Sequence, residues 1–140
     1  MFIEVWDRVS LGEQEASIGR HKYSGAPLGK EDEFDAVDLG AKDETGEPLI
    51  SADAHVRLAR QSDGEKILRR GYSFTDGFDA GLFFISFQRD PHKQFVPLQR
   101  RLAANDRLNE YIRHTSSALF ACPPGVREGG YVGERLFTAS

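Results

Sequence analysis

The stretch Gly81-Leu82-Phe83-Phe84-Ile85-Ser86-Phe87-Gln88 decides the fold class. It is almost continuously apolar, which predicts a strand covered on both faces. Directly after it, Asp90-Pro91 places a good N-cap before a proline at the first helical position. Phe95, Leu98 and Leu102 then recur at helical spacing, so an amphipathic helix follows. Asn105 or Asp106 caps a further short helix carrying Leu108, Tyr111 and Ile112. Ala118 to Cys122 is predicted as a last strand, closed by Pro123-Pro124-Gly125.

Upstream of the apolar strand lies an extended run, Ile67-Leu68-Arg69-Arg70-Gly71-Tyr72-Ser73-Phe74, with paired arginines that point to opposite faces if it is a strand. A polar turn, Gln61 to Lys66, separates this run from Ala54-His55-Val56-Arg57-Leu58, which is also expected to be extended. Farther back, Ser10 and Glu13 form a capping-box pattern, predicting a helix over Leu11 to Ile18 stopped by Gly19. Phe2 to Trp6 is a strand end or a first helical turn, and His21 to Gly29 is loop. Lys30 to Gly46 is acidic and rich in turns. It reads as a solvated excursion, with a cation or ferric-iron site as the sharper alternative, and it lacks EF-hand spacing. Strands interleaved with helices predict one α+β domain over residues 1–140, an antiparallel sheet with helices on one side.

Composition narrows the function classes. A net charge of −4 gives no electrostatic reason to expect nucleic acid. No apolar run approaches the ~20 residues that span a bilayer. The start, MFIEVWDRV, has neither a basic n-region nor a long apolar h-region, so no signal peptide is expected there. Cys122 is the only cysteine, which excludes an internal disulfide and a cysteine-built metal cluster. None of the four histidines sits in a zinc-protease spacing.

The blocks AHVRLA, ILRRGYSF, GLFFISFQRD, F-x-x-L-Q-R-R-L and FACPPG, in that order, resemble the C-terminal part of dye-decolorising (DyP-type) heme peroxidases. The similarity is nearest to the bacterial branch called deferrochelatases, and the opening EVWDRVSLGEQEASIGRHKYSGAPLG fits the same family. The resemblance implies a ferredoxin-like half of a two-half, barrel-like fold, with heme b as cofactor. It implies His55 as the axial iron ligand and Arg69 as the catalytic distal cation, stabilising negative charge on peroxide. Glu110, in the late helix, becomes the expected acceptor for the second imidazole nitrogen. Leu82 and Phe84 fall where the family lines its distal pocket. Arg57, taken to share a strand face with His55, becomes a candidate propionate contact, and Gly25-Ala26-Pro27-Leu28 a heme neighbour. Trp6, Tyr23, Tyr72, Tyr111 and Tyr131 are candidates by residue type for carrying oxidising equivalents outward.

Departures from the family pattern fall in loops: Arg60-Gln61-Ser62 follows the histidine motif, and Thr115-Ser116-Ser117 precedes the last strand. The family's G-x-x-D-G block, with its acid–base aspartate, belongs to an N-terminal half not contained in this sequence. The expected partners are therefore hydrogen peroxide, a reducing substrate, and an N-terminal half, a second chain or a homo-oligomeric copy to cover open edges. The expected activity is peroxide reduction coupled to oxidation of dyes or other donors. The alternatives are a non-catalytic heme-binding or assembly domain, and release of iron from heme. Relatives are exported, periplasmic or secreted. Without export the setting would be cytoplasmic.

Overall fold

The computed structural model describes residues 3–62, 64–77 and 79–137. Helix α1 is the single turn Ile3–Trp6, so the helical reading of the N-terminal apolar stretch holds over its described part. Helix α2, Leu11–Ile18, has the expected bounds. The Ser10 hydroxyl accepts the Glu13 amide at 3.3 Å and donates to the Glu13 carboxylate at 2.9 Å, a local variant of the capping box. Gly19 ends α2 at φ +89°, and a methyl group there would lie 2.3 Å from Val56 Cγ1. Only glycine allows both that backbone conformation and that approach.

The acidic stretch forms a chain of turns closed by its own side chains. Asp32 accepts the Phe34 amide, Asp38 that of Gly40, and Asp43 those of Thr45 and Glu47. Residues 55–58, expected to be extended, instead form the helical turn α3, His55–Leu58, with Ala54 buried at its start.

The apolar strand and the paired-arginine run pair antiparallel as a hairpin, β1 Leu68–Asp76 and β2 Asp79–Phe87. Among the described residues this two-stranded sheet is the only one. Arg69, Gly71 and Ser73 lie opposite Ser86, Phe84 and Leu82, and so share one face. Arg70 falls on the other face, its guanidinium 5.8 Å from the Tyr72 ring centre. The expected double covering of β2 is absent within this chain: Leu82, Phe83, Phe84 and Phe87 are all exposed. Helix α4, Phe95–Asn105, starts four residues later than expected at Phe95, because Asp90 to Gln94 form a separate turn. Asp106 caps a 3₁₀ turn, Arg107–Glu110, and α5 is Glu134–Phe137. The predicted last strand, Ala118–Cys122, does not form: these residues pair with neither free edge of the hairpin.

The core is small and lies among the helices. Ala26, Pro27, Ile50, Ala54, Leu98 and Leu108 are buried, together with Gln14, Ser17 and Asp106. The hairpin touches the start of α4, where Phe84 stacks on Phe95 with ring centres 6.4 Å apart.

Candidate functional site

His55 is the first residue of α3, and its side chain is about a third exposed. Its Nδ1 lies 2.6 Å from Asp106 Oδ2, in a carboxylate only 2% exposed. The other Asp106 oxygen accepts the Leu108 amide at 3.0 Å, as the cap of the 3₁₀ turn. Both oxygens are thus engaged, and the imidazole is held by an acceptor that cannot swing away. In the neutral ring this bond places the proton on Nδ1 and leaves Nε2 with a free lone pair. A second tie runs alongside. The Arg107 amide donates to the Asp53 carbonyl at 3.1 Å, and the Arg107 guanidinium lies 3.6 Å from the Asp53 carboxylate. The Ser51 hydroxyl, with Arg107 nearby, holds the Asp53 carboxyl below its ordinary value.

The expected acceptor Glu110 is not the partner of His55. It is exposed, one turn beyond Asp106, at the solvent side of the 3₁₀ turn. The capping role of Asp106 was legible from its position. That its second oxygen would reach back 51 residues to His55 was not.

His55 opens onto a cavity of about 720 Å³ whose lining also contains Arg69. Ile18, Ala36, Val37, Val56, Ala59 and Ile67 supply apolar wall, and Arg20, Arg60, Gln61 and Lys66 supply polar wall. Among the described residues this lining contains no carboxylate. Arg20 is braced, one of its nitrogens donating to the Gly25 and Glu33 carbonyls. Among the described residues no cluster of three or more His, Cys, Asp or Glu could hold a bare metal ion.

The remaining expectations divide. Leu82 and Phe84 lie on the Arg69 face of the hairpin but not in the cavity wall. Arg57 is turned away from the cavity: its guanidinium donates to the carbonyls of Leu39, Ile50 and Ser51, because a helical turn does not share faces as a strand does. It is a brace for the Ile50 turn. Ala26 and Pro27 are buried in the core rather than exposed to the cavity, and Ala36 and Val37 line it instead. Of the aromatic candidates, Trp6 and Tyr111 touch edge to face at 4.9 Å, while Tyr23 and Tyr131 stand exposed.

Residues 1–127 match the profile described as "Dyp-type peroxidase, C-terminal". The chain belongs to the DyP-type peroxidase family. It is 48% identical over 145 aligned residues to a dye-decolorizing peroxidase of Thermobifida fusca, covering 97% of this chain and 34% of that protein. A deferrochelatase of Escherichia coli K12 is 39% identical, over 96% of this chain and 34% of the relative. Among solved structures, a DyP-type peroxidase from Streptomyces coelicolor superposes with TM-score 0.89 at 43% identity, over 99% of this chain and 41% of that one. Ferric DtpA from Streptomyces lividans gives the same TM-score at 44% identity, over 97% and 40%. The chain thus spans about a third of the length of the curated DyP-type relatives it matches. The likeness establishes the α+β fold expected from the strand and helix pattern.

Proposed function

We propose that this chain forms the iron-ligand side of a DyP-type heme peroxidase, with heme b held in the cavity between His55 and Arg69. The observation that carries this reading is the His55–Asp106 pair, which leaves Nε2 free at a cavity that Arg69 shares. The lining fits the group: apolar residues suit a porphyrin face, and Arg20, Arg60 and Lys66 bring positive charge suited to two anionic propionates. The volume lies within the ~300–1,000 Å³ typical of cofactor sites.

When bound, heme would supply the redox chemistry that reduces hydrogen peroxide and oxidises a dye or other donor. This chain's residues do the rest. His55 Nε2 would bind the iron, and Asp106 fixes the ring and raises the basicity of that nitrogen. The Arg69 guanidinium, permanently charged, would stabilise negative charge on the peroxide oxygens. None of the described lining residues is a carboxylate, so none of them is a candidate to carry a proton between those oxygens. The exposed faces of the hairpin then mark where the complementary half of the enzyme docks, or a second copy of the chain.

Titration with hemin, read by absorbance, tests the assignment. A Soret band with an imidazole-ligand signature that His55→Ala abolishes is the expected result. A wild-type chain with no such band, or a variant with an identical one, defeats it. Peroxide should shift the band with turnover only when a complementary half is added. A band that never responds would leave a heme-binding module, and release of iron-free porphyrin would favour the deferrochelatase reading.

A further inference from the structure

His55 and Arg69 stand on two walls of the cavity, and the only covalent link between those walls is the segment 56–68. None of its described residues forms a strand before Leu68, and α3 stops at Leu58. Such a link would let the two walls drift unless something outside it held both ends.

Arg101, two turns into α4, does this. Its Nε donates to the Leu58 carbonyl at 2.8 Å, and one terminal nitrogen donates to the Arg60 carbonyl at 3.1 Å. These carbonyls belong to the frayed C-terminal end of α3, where acceptors lack partners and a cation is favoured. The same guanidinium reaches across the loop to both oxygens of Glu65, at 3.3 and 3.5 Å. Glu65 in turn accepts the Ser62 amide at 3.2 Å, closing the turn. From the N-terminal side of α4, the Gln94 side-chain amide donates to the Lys66 carbonyl. One helix therefore grips the linking segment at its beginning, middle and end.

We propose that Arg101 is a positioning residue that fixes the spacing between the His55 and Arg69 walls by splinting the segment between them to α4. The inference rests on the heme reading only for its consequence. Its structural content stands without any ligand. Arginine suits the place because its planar fork serves three acceptors at once, whereas a lysine ammonium is a single point.

The first measurement needs no heme. In hydrogen exchange on the full chain, Arg101→Ala should speed exchange of the Ser62, Glu65 and Ile67 amides at least tenfold. The Gly19 amide, bonded to the Glu15 carbonyl in α2, should stay unchanged. Arg101→Lys should recover only part of the protection. Equal acceleration everywhere, including Gly19, would mean loss of global stability and would overturn the proposal. So would no acceleration in the loop.

The second measurement is a double-variant cycle on hemin affinity. Arg69→Ala and Arg101→Ala should each weaken binding about tenfold, and the double variant by much less than a hundredfold, because the second change disturbs what the first already removed. Fully independent effects would refute action through Arg69. If the wild type binds no hemin, or His55→Ala binds it equally well, the heme reading falls, and the exchange pattern alone decides the role of Arg101.

Discussion

The helical region around His55 and the β1–β2 hairpin are built on opposite plans. Around His55, Asp106 is buried with both oxygens engaged, and the Arg57 Nε and one terminal nitrogen donate to the carbonyls of Leu39, Ile50 and Ser51. Gly19, Ile50 and Val56 meet there with no space for an added methyl group. The hairpin has a complete ladder of its own, yet every residue of β1 is exposed, and Phe83 of β2 is 60% exposed. One region is stabilised by its own packing, and the other presents exposed apolar faces. In the heme reading proposed above, this chain would specify the ligand side by itself, including the acceptor hydrogen-bonded to His55, but not the shielding of the distal side.

Substitutions sharpen that contrast, and the largest effect falls in the helical region. Asp106→Ala removes two hydrogen bonds from a buried carboxylate and should destabilise the chain by about 3 kcal/mol in urea unfolding. The hairpin amides should keep their exchange rates in that variant. Gly19→Ala comes next, at about 2 kcal/mol, from a left-handed backbone and a methyl group driven into Val56. Adding Val56→Ala should return the steric part and leave the backbone part. Full recovery would show that the φ of +89° costs nothing.

How much of this was legible in the sequence follows the same divide. Helix α2 was readable to the residue, because Ser10, Glu13 and Gly19 are local signals satisfied by local bonds. The hairpin strands were readable from apolar and extended runs, and Arg69 and Arg70 do face opposite ways. Covering of β2 was misread because a continuous apolar run reports that a surface is to be buried, not which chain buries it. Ala118–Cys122 failed as a strand because β-prone composition alone sets no pairing, and these residues meet neither free edge of the hairpin. At the site, Asp106 was readable as a cap, but its bond to His55 depends on packing of α3 against the 3₁₀ turn, for which sequence spacing holds no signal. The helical turn at His55 removed Arg57 from the cavity, and Arg20, Ala36, Val37 and Arg60 entered it from loops without periodicity.

In the hairpin, by contrast, Phe83→Ser should alter stability by less than about 0.5 kcal/mol, since an exposed ring has little burial to lose. Its effect should appear in association. Sedimentation of the wild-type chain at rising concentration should show self-association, or capture of an added complementary half, that the variant reduces. A variant that unfolds the chain would mean that the hairpin is packed internally after all.

The smallest effect lies at the boundary between the two regions, where Glu65 meets Arg101. The hydrogen bond from that guanidinium, helped by the Ser62 amide, pulls the Glu65 carboxyl from an ordinary 4.5 to about 2. A carboxyl with a lowered folded value binds fewer protons in the folded chain than in the unfolded one. Its contribution is therefore complete above about pH 4.5 and fades as pH falls toward 2. Because the pair is only part-buried and still reached by water, the slope it adds should be slight, and 0.5 M salt should flatten it further. Glu65→Gln should flatten this part of the acid limb in a thermal-melt series from pH 6 to pH 2.5, by lowering the melting point slightly above about pH 4.5 and leaving it nearly unchanged near pH 2.5. An unaltered acid limb would show that the loop is held by the Arg101 bonds to the Leu58 and Arg60 carbonyls alone, which do not titrate.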